Sequence, residues 1–202
     1  MSRALLAGLL AAACAAPAFA QTPAPADSDA ATLGGPQIAG LCSLSQQAVF
    51  ANAKVGAAAS ARLKQLSDQS QAEINAERTS IETDAKALEA QRASLKPADL
   101  KQKQRALAIR IKALQDKAAL RSREIEATRE KTLARITTEL RPVIAQVYGA
   151  RSCGLLIDRN SILGGNMAGD LTAAVVQGLD AKITTISFDR EALAAAATAA
   201  SR

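Results

Sequence analysis

The 202-residue chain has no histidine and no tryptophan, and it carries one tyrosine, three phenylalanines and three cysteines. Without histidine there is no Ser-His-Asp or Cys-His pairing of nucleophile and base. Two or three cysteines alone fall short of the four nitrogen or sulfur ligands that a zinc site takes. The carboxylates are spread along helix positions that face solvent and form no acid–base pair, so an enzymatic function has no residues to rest on, and no cofactor is expected. One segment, Gly164-Gly165-Asn166-Met167-Ala168-Gly169, has the glycines of a phosphate loop. It lacks the Lys-Ser/Thr ending, and Asp170 puts a negative charge where phosphate would sit, so it reads as a turn. Scarce aromatics leave little area for a compact interior, whereas alanine, the strongest helix former, is abundant. Long, thinly packed helices follow from that combination.

The net charge of +6 points to an anionic partner. Met1-Ser2-Arg3 forms a short positive region, residues 4–13 an apolar run and Ala18-Phe19-Ala20 a small-x-small site. Residues 1–20 therefore read as a secretory signal peptide cleaved after Ala20, with an apolar run too short for a membrane anchor. A competing reading places a lipid on Cys14, after Ala11-Ala12-Ala13. Export makes nucleic acid an unexpected partner. Residues 21–36, rich in Pro, Ala, Asp, Ser and Gly, cannot bury enough surface to order themselves and read as a flexible tail. Residues 37–190 form one domain, with a body over 37–54 and 149–190 and an arm over 55–148. An alanine-rich tail covers 191–202.

Ile38, Gly40, Cys42 and Leu44 alternate with Ala39, Leu41 and Ser43, the period of a half-buried strand. Ser43 or Ser45 can then cap a helix containing Val49 and Phe50. Asn52 and Gly56 predict a kink before a longer helix begins near Ala57. From 57 to 141 there is no glycine and one proline. Ile74, Ile81, Leu88 and Leu95 repeat every seven residues, as do Leu100, Leu107 and Leu114, with Ile111, Ala118 and Ile125 on the adjacent seam. Glu77, Asp84 and Gln91 occupy companion positions, which predicts a thin seam. Pro97 suits the first turn of a new helix and breaks a continuous one. The chain is expected to fold back over 95–99 into arms 55–95 and 97–146, each roughly 60–75 Å long. The alternative is a single helix kinked at Pro97, which would hold the two strand regions apart.

Beyond Tyr148-Gly149, residues 153–158 read as a buried strand, Arg159-Asn160 as a turn and 161–163 as its partner strand. Asp170 can cap a short helix over 171–179, and 182–188 returns to a β-type pattern with Ile183, Ile186 and Phe188. The expected class is α+β: a small strand-rich body bearing a long antiparallel helical coiled-coil hairpin. So few strands are marginal alone, and sharing the sheet between subunits would relieve that.

Cys42 and Cys153 are the cysteines left after signal cleavage, and an even count in an exported protein predicts a disulfide between them. Two buried free thiols are the alternative. Around the proposed tip lie Arg92, Lys96, Lys101, Lys103, Arg105, Arg110, Lys112, Lys117, Arg121 and Arg123, against Asp99 and Asp116. A field of that sign attracts acidic polypeptide segments or the anionic head groups of lipid and lipopolysaccharide. The plainer reading is a solvated surface that keeps the arms soluble.

The run Leu41-Cys42-Ser43-Leu44-Ser45-Gln46-Gln47-Ala48-Val49-Phe50, followed by Asn52 and Gly56, resembles the opening of the Skp/OmpH family of periplasmic chaperones. Leu155-Leu156-Ile157-Asp158-Arg159-Asn160-Ser161-Ile162-Leu163, with Asp170-Leu171-Thr172 after it, is similar to that family's C-terminal strand pair and short helix. With the central hairpin, the resemblance covers most of 38–179. Ser45 stands where the family usually has aspartate, and Gly164 where a bulky residue is common. The resemblance implies a homotrimer with a β-barrel-like body and three tentacles around a cavity. It further implies that the cavity holds unfolded outer-membrane β-barrel proteins without nucleotide. A structural coiled-coil protein of the envelope, or an anionic-lipid binder using the same tip, are the readings from other classes.

Overall fold

The structure is a computed structural model that describes residues 33–194. The expected signal peptide, the Cys14 alternative and most of both expected tails lie outside the described residues. In chain order the elements are β1 (Leu41–Leu44), α1 (Gln46–Asn52), α2 (Lys54–Gln91), α3 (Pro97–Ala150), β2 (Leu155–Asp158), a 3₁₀ turn (Arg159–Ser161) and α4 (Thr172–Lys182). No helix among the described residues is long and apolar enough to cross a membrane.

Strand β1 pairs in parallel with β2, Leu41 facing Leu155 and Leu44 facing Asp158. A parallel pair needs a crossover connection, and here both long helices supply it. The single kinked rod is therefore not what forms, because the two strand regions meet. Ser43 also exchanges backbone hydrogen bonds with the turn before α4, donating to the Gly169 carbonyl (3.0 Å) and accepting from Leu171 N (2.9 Å). Gly169 permits this approach, since a Cβ there would run into the Leu41 carbonyl.

The body holds fewer strands than expected. Residues 161–163 do not pair with β2: the Asp158 carboxylate accepts the Asn160 N–H (2.9 Å) and turns the chain into the 3₁₀ segment instead. The β-type pattern at 182–188 also belongs to no sheet, for a reason given below. Gly164 leaves no gap, because the Leu33 side chain lies within 2.7 Å of where its Cβ would be.

Of the two candidate caps, Ser45 serves, its hydroxyl accepting from Ala48 N at 3.2 Å. The kink between α1 and α2 falls at the buried Ala53, whose backbone is extended. Gly56 is needed for a different reason from helix breaking: a Cβ there would overlap the Phe50 carbonyl. Gly56→Ala should therefore push α1 off α2 and cost about 1–3 kcal/mol, as overpacking does. A fall in the urea midpoint checks this, and an unchanged midpoint refutes it.

Helix α2 has 38 residues and α3 has 54, about 57 and 81 Å at 1.5 Å per residue. The second exceeds expectation because it runs through Pro142 to Ala150. Pro97 opens α3 as its first residue, with Lys96 extended before it. Side-chain contacts between the helices pair Glu73 with Arg121, Glu77 with Lys117, Asp84 with Arg110 and Gln91 with Lys103. Partner number falls along α3 as it rises along α2. Ile74 and Ile81 are buried, whereas Leu88, Leu95, Leu100, Leu107 and Leu114 are only half-buried. Ile111, expected on the seam, is exposed. Tighter packing lies at the root, where Val49, Val55, Ile136, Leu140, Val175 and Leu179 are fully buried in one cluster.

Candidate functional site

Among the ten cations expected at the tip, position along the arm separates two groups. Arg121 lies about 36 Å into α3, and its guanidinium reaches Glu73 (3.0 Å) and Glu124 (2.7 Å). Lys117 pairs with Glu77 at 2.9 Å and Arg110 with Asp84, so these cations hold α3 against α2. Lys112 pairs with Asp116 and Arg92 with Glu89, each on its own helix or at its end. Lys103 donates to the Gln91 amide oxygen at 3.2 Å. Lys96, Lys101, Arg105 and Arg123 make no ion pair among the described residues.

Lys101, Arg105 and Ile109 follow one another at four-residue spacing on α3, and thus share a face. Ile109 is 70 % exposed, beside a shallow groove lined by Ala98, Lys101, Gln102, Arg105 and Ala106. Unpaired cations flanking a bare apolar side chain suit a ligand that is both acidic and apolar. Nearer the root, a larger open groove of 910 Å³ lies between α2 and α3, with Phe50, Leu63, Ile125, Leu133 and Ile136 in its lining.

A second polar feature has no counterpart in the sequence reading. Glu124, Thr128 and Thr132 form a buried stripe along α3, continued by Ile136, Leu140 and Val143. Over the upper part of it lies the segment that follows α4, which has no regular structure of its own. Its backbone is bonded to arm side chains rather than to a strand. Arg62 donates to the Phe188 carbonyl (3.2 Å), Arg135 to that of Ser187 (3.1 Å), and Glu191 N donates to Thr128 Oγ1 (2.9 Å). The Arg190 guanidinium enters the arm, 2.9 Å from Ser70 Oγ, 3.2 Å from Glu124 and 3.5 Å from Glu73. Partial burial opposes ionisation of Glu73, but hydrogen bonds and the fields of Arg121 and Arg190 outweigh it and lower its pKa. The hydrogen bond that Arg121 donates to Glu124 leads the effects that raise the pKa of Arg121.

Cys42 and Cys153 come together where β1 and β2 begin, their Cα atoms 5.8 Å apart and their sulfurs within bonding distance. Among the described residues no group of carboxylates and cysteines is arranged to hold a metal.

The profile of a family described as Outer membrane protein (OmpH-like) matches residues 41–179. Among solved structures, the chain is similar to a candidate outer membrane chaperone (OmpH-like) from Caulobacter crescentus CB15. The two are 41 % identical with a TM-score of 0.75, over 79 % of this chain and 95 % of that one. A comparison with curated proteins finds no match.

Proposed function

Because the chain belongs to the OmpH-like outer membrane protein family, we propose that it is an ATP-independent holding chaperone for unfolded outer-membrane β-barrel proteins. In this reading it works in the periplasm after cleavage behind Ala20, and residues 37–190 are the working domain. Helices α2 and α3 are an antiparallel hairpin arm, and the body carries it. The observation that carries the reading is the face of Lys101, Arg105 and Ile109, which offers charge and apolar surface together at the thin end of the arm. An unfolded β-barrel segment exposes apolar side chains, and many weak contacts of this kind allow broad client range and release without fuel.

A homotrimer fits the body. Strand β2 has one paired edge among the described residues, and Leu155 on it is 57 % exposed. An edge of that kind is a template for pairing with a neighbouring chain, and sharing strands between copies would give the body its barrel-like form.

A second reading, binding of anionic lipid or lipopolysaccharide head groups, is favoured by the unpaired Lys96, Lys101 and Arg105. One experiment separates the two. A urea-denatured outer-membrane β-barrel protein is diluted into the mature protein without nucleotide, in parallel with anionic vesicles as a binding partner. Suppressed aggregation at near-stoichiometric ratio is the expected result. The triple variant Lys96→Glu, Lys101→Glu, Arg105→Glu should weaken client binding about tenfold, or some 1.4 kcal/mol. Unchanged aggregation with vesicle binding that the triple variant abolishes would replace the chaperone reading with the lipid one.

A further inference from the structure

The segment after α4 begins past residue 179, where the match to the OmpH-like family ends. It lies on the arm as a bound peptide would. Ile183, Ile186 and Phe188 pack against the root cluster, and polar contacts begin at Ser187. Some of them engage its main chain, through Arg62, Arg135 and Thr128, with Glu124 accepting from Leu193 N at 3.4 Å. Side-chain-to-main-chain bonds of this kind tolerate many sequences. Side chains are read too: the more exposed Asp189 and Glu191 pair with Arg62 and Lys131, and Arg190 meets Ser70, Glu73 and the buried Glu124.

Charge bookkeeping at that place is informative. Glu73 and Glu124 face Arg121 and Arg190, and the Glu124 side chain is only 5 % exposed. With Arg190 seated, two anions meet two cations. With it withdrawn, Arg121 alone faces both carboxylates, one of them buried, and an uncompensated buried charge is costly. Lys131, Arg62 and Arg135 stand close by but engage Glu191, Asp189, and the Phe188 and Ser187 carbonyls of the segment. The groove is thus built to receive a cation carried on an extended chain. Beyond Ile183, whose N–H closes α4, no hydrogen bond between backbones ties the segment to the rest of the protein among the described residues. A segment held by side chains alone belongs to the low-stability end of a fold and opens readily.

We propose that this groove on α2 and α3 is a binding site for an extended, arginine-bearing polypeptide segment, and that residues 183–194 are its resident occupant, exchanging with segments of a bound client. The exchange with a client rests on the chaperone reading, whereas the groove and its occupant do not. Seated, the segment keeps the buried carboxylate satisfied in the empty protein. Displaced, it yields the groove to a client arginine with flanking backbone.

The test uses the full chain and a fluorescent peptide with the sequence of residues 183–194. By anisotropy, the Arg190→Ala protein should bind the peptide at least about tenfold more tightly than the wild type, whose groove is filled. A peptide carrying the same Arg190→Ala change should lose binding to that variant by a similar factor. Hydrogen exchange should show lost protection at 187–193 in the variant, with α2 and α3 protected as in wild type, which establishes that it folds. A variant that keeps protection at 187–193, or that folds but takes up neither peptide, overturns the proposal. If Arg190→Ala does not fold, Arg190→Lys serves: peptide binding tighter than that of the wild type is expected, and binding no tighter than the wild type's would overturn it. The aggregation assay is run alongside. Peptide uptake without any suppression of aggregation would sink the chaperone reading and leave the groove standing.

Discussion

Breaking the link between Cys42 and Cys153 is expected to lower stability by about 4–5 kcal/mol. The two residues are 111 positions apart, and in the chain-entropy model a loop of about that size restricts the unfolded chain by this amount. Their Cα separation of 5.8 Å lies within the span that a disulfide bridges without backbone movement. The register explains the approach. Cys42 lies opposite Leu156, and the Gly154 and Leu155 amides both donate to the Gly40 carbonyl, at 2.7 and 3.0 Å. That lays the chain just before β2 against the start of β1. A two-stranded sheet of four-residue strands contributes little alone, so the bond would supply much of what joins the two ends of the crossover. Domains are stable by about 5–15 kcal/mol in all, which makes the loss large. The measurement is the urea midpoint of the mature protein with and without reductant, beside the double variant Cys42→Ala, Cys153→Ala. Alanine avoids burying a hydroxyl at the 5 % exposed Cys42. Equal midpoints, with two thiols titrating in the untreated protein, would show that the cysteines are free.

The long helices were legible because their signals are local. A glycine-free stretch, heptads of Ile and Leu and a proline at a helix start act within a few turns. A cap at Ser43 or Ser45 is equally local, and counting cysteines pointed to Cys42 and Cys153, which the fold brings close together. Partners of the charges were not legible. Glu77 and Asp84 were read as weakening the seam, yet they pair with Lys117 and Arg110 across it. The same pairs remove those two cations, and Arg121 with them, from the free charge at the tip. Sequence carries the sign of a side chain but not what folding places opposite it. The stripe of Glu124, Thr128 and Thr132 went unread for the same reason, because its cover comes from residues 63 and 69 positions away. The stretch holding Ile183, Ile186 and Phe188 reads as β-type, and the chain there makes its backbone bonds to arm side chains. A β-type pattern reports extended backbone, and a sheet is only one way to satisfy it.

Leu140→Ala should destabilise the protein by about 2–5 kcal/mol, the range for removing a buried leucine and leaving a cavity. Leu140 is fully buried on α3, in the cluster it shares with Val49 of α1, Val55 of α2 and Val175 and Leu179 of α4. Every one of these is already a β-branched or branched side chain held between four helices, so little can move in to fill the space. Leu133, seven residues earlier on the same helix, is the control. It is 40 % exposed, and Leu133→Ala should cost no more than about 1 kcal/mol. The contrast follows from the shape of the molecule. Toward the tip the seam is half-buried and polar pairs join the helices, so substitutions there change charge more than stability. At the root a buried apolar cluster packs all four helices together. Urea midpoints of the two variants decide the matter. A difference under about 1 kcal/mol would mean that the arm is held along its whole length rather than at its root. A loss confined to Leu140→Ala, with helical content kept below the transition, would place the packing that holds the helices together at the root.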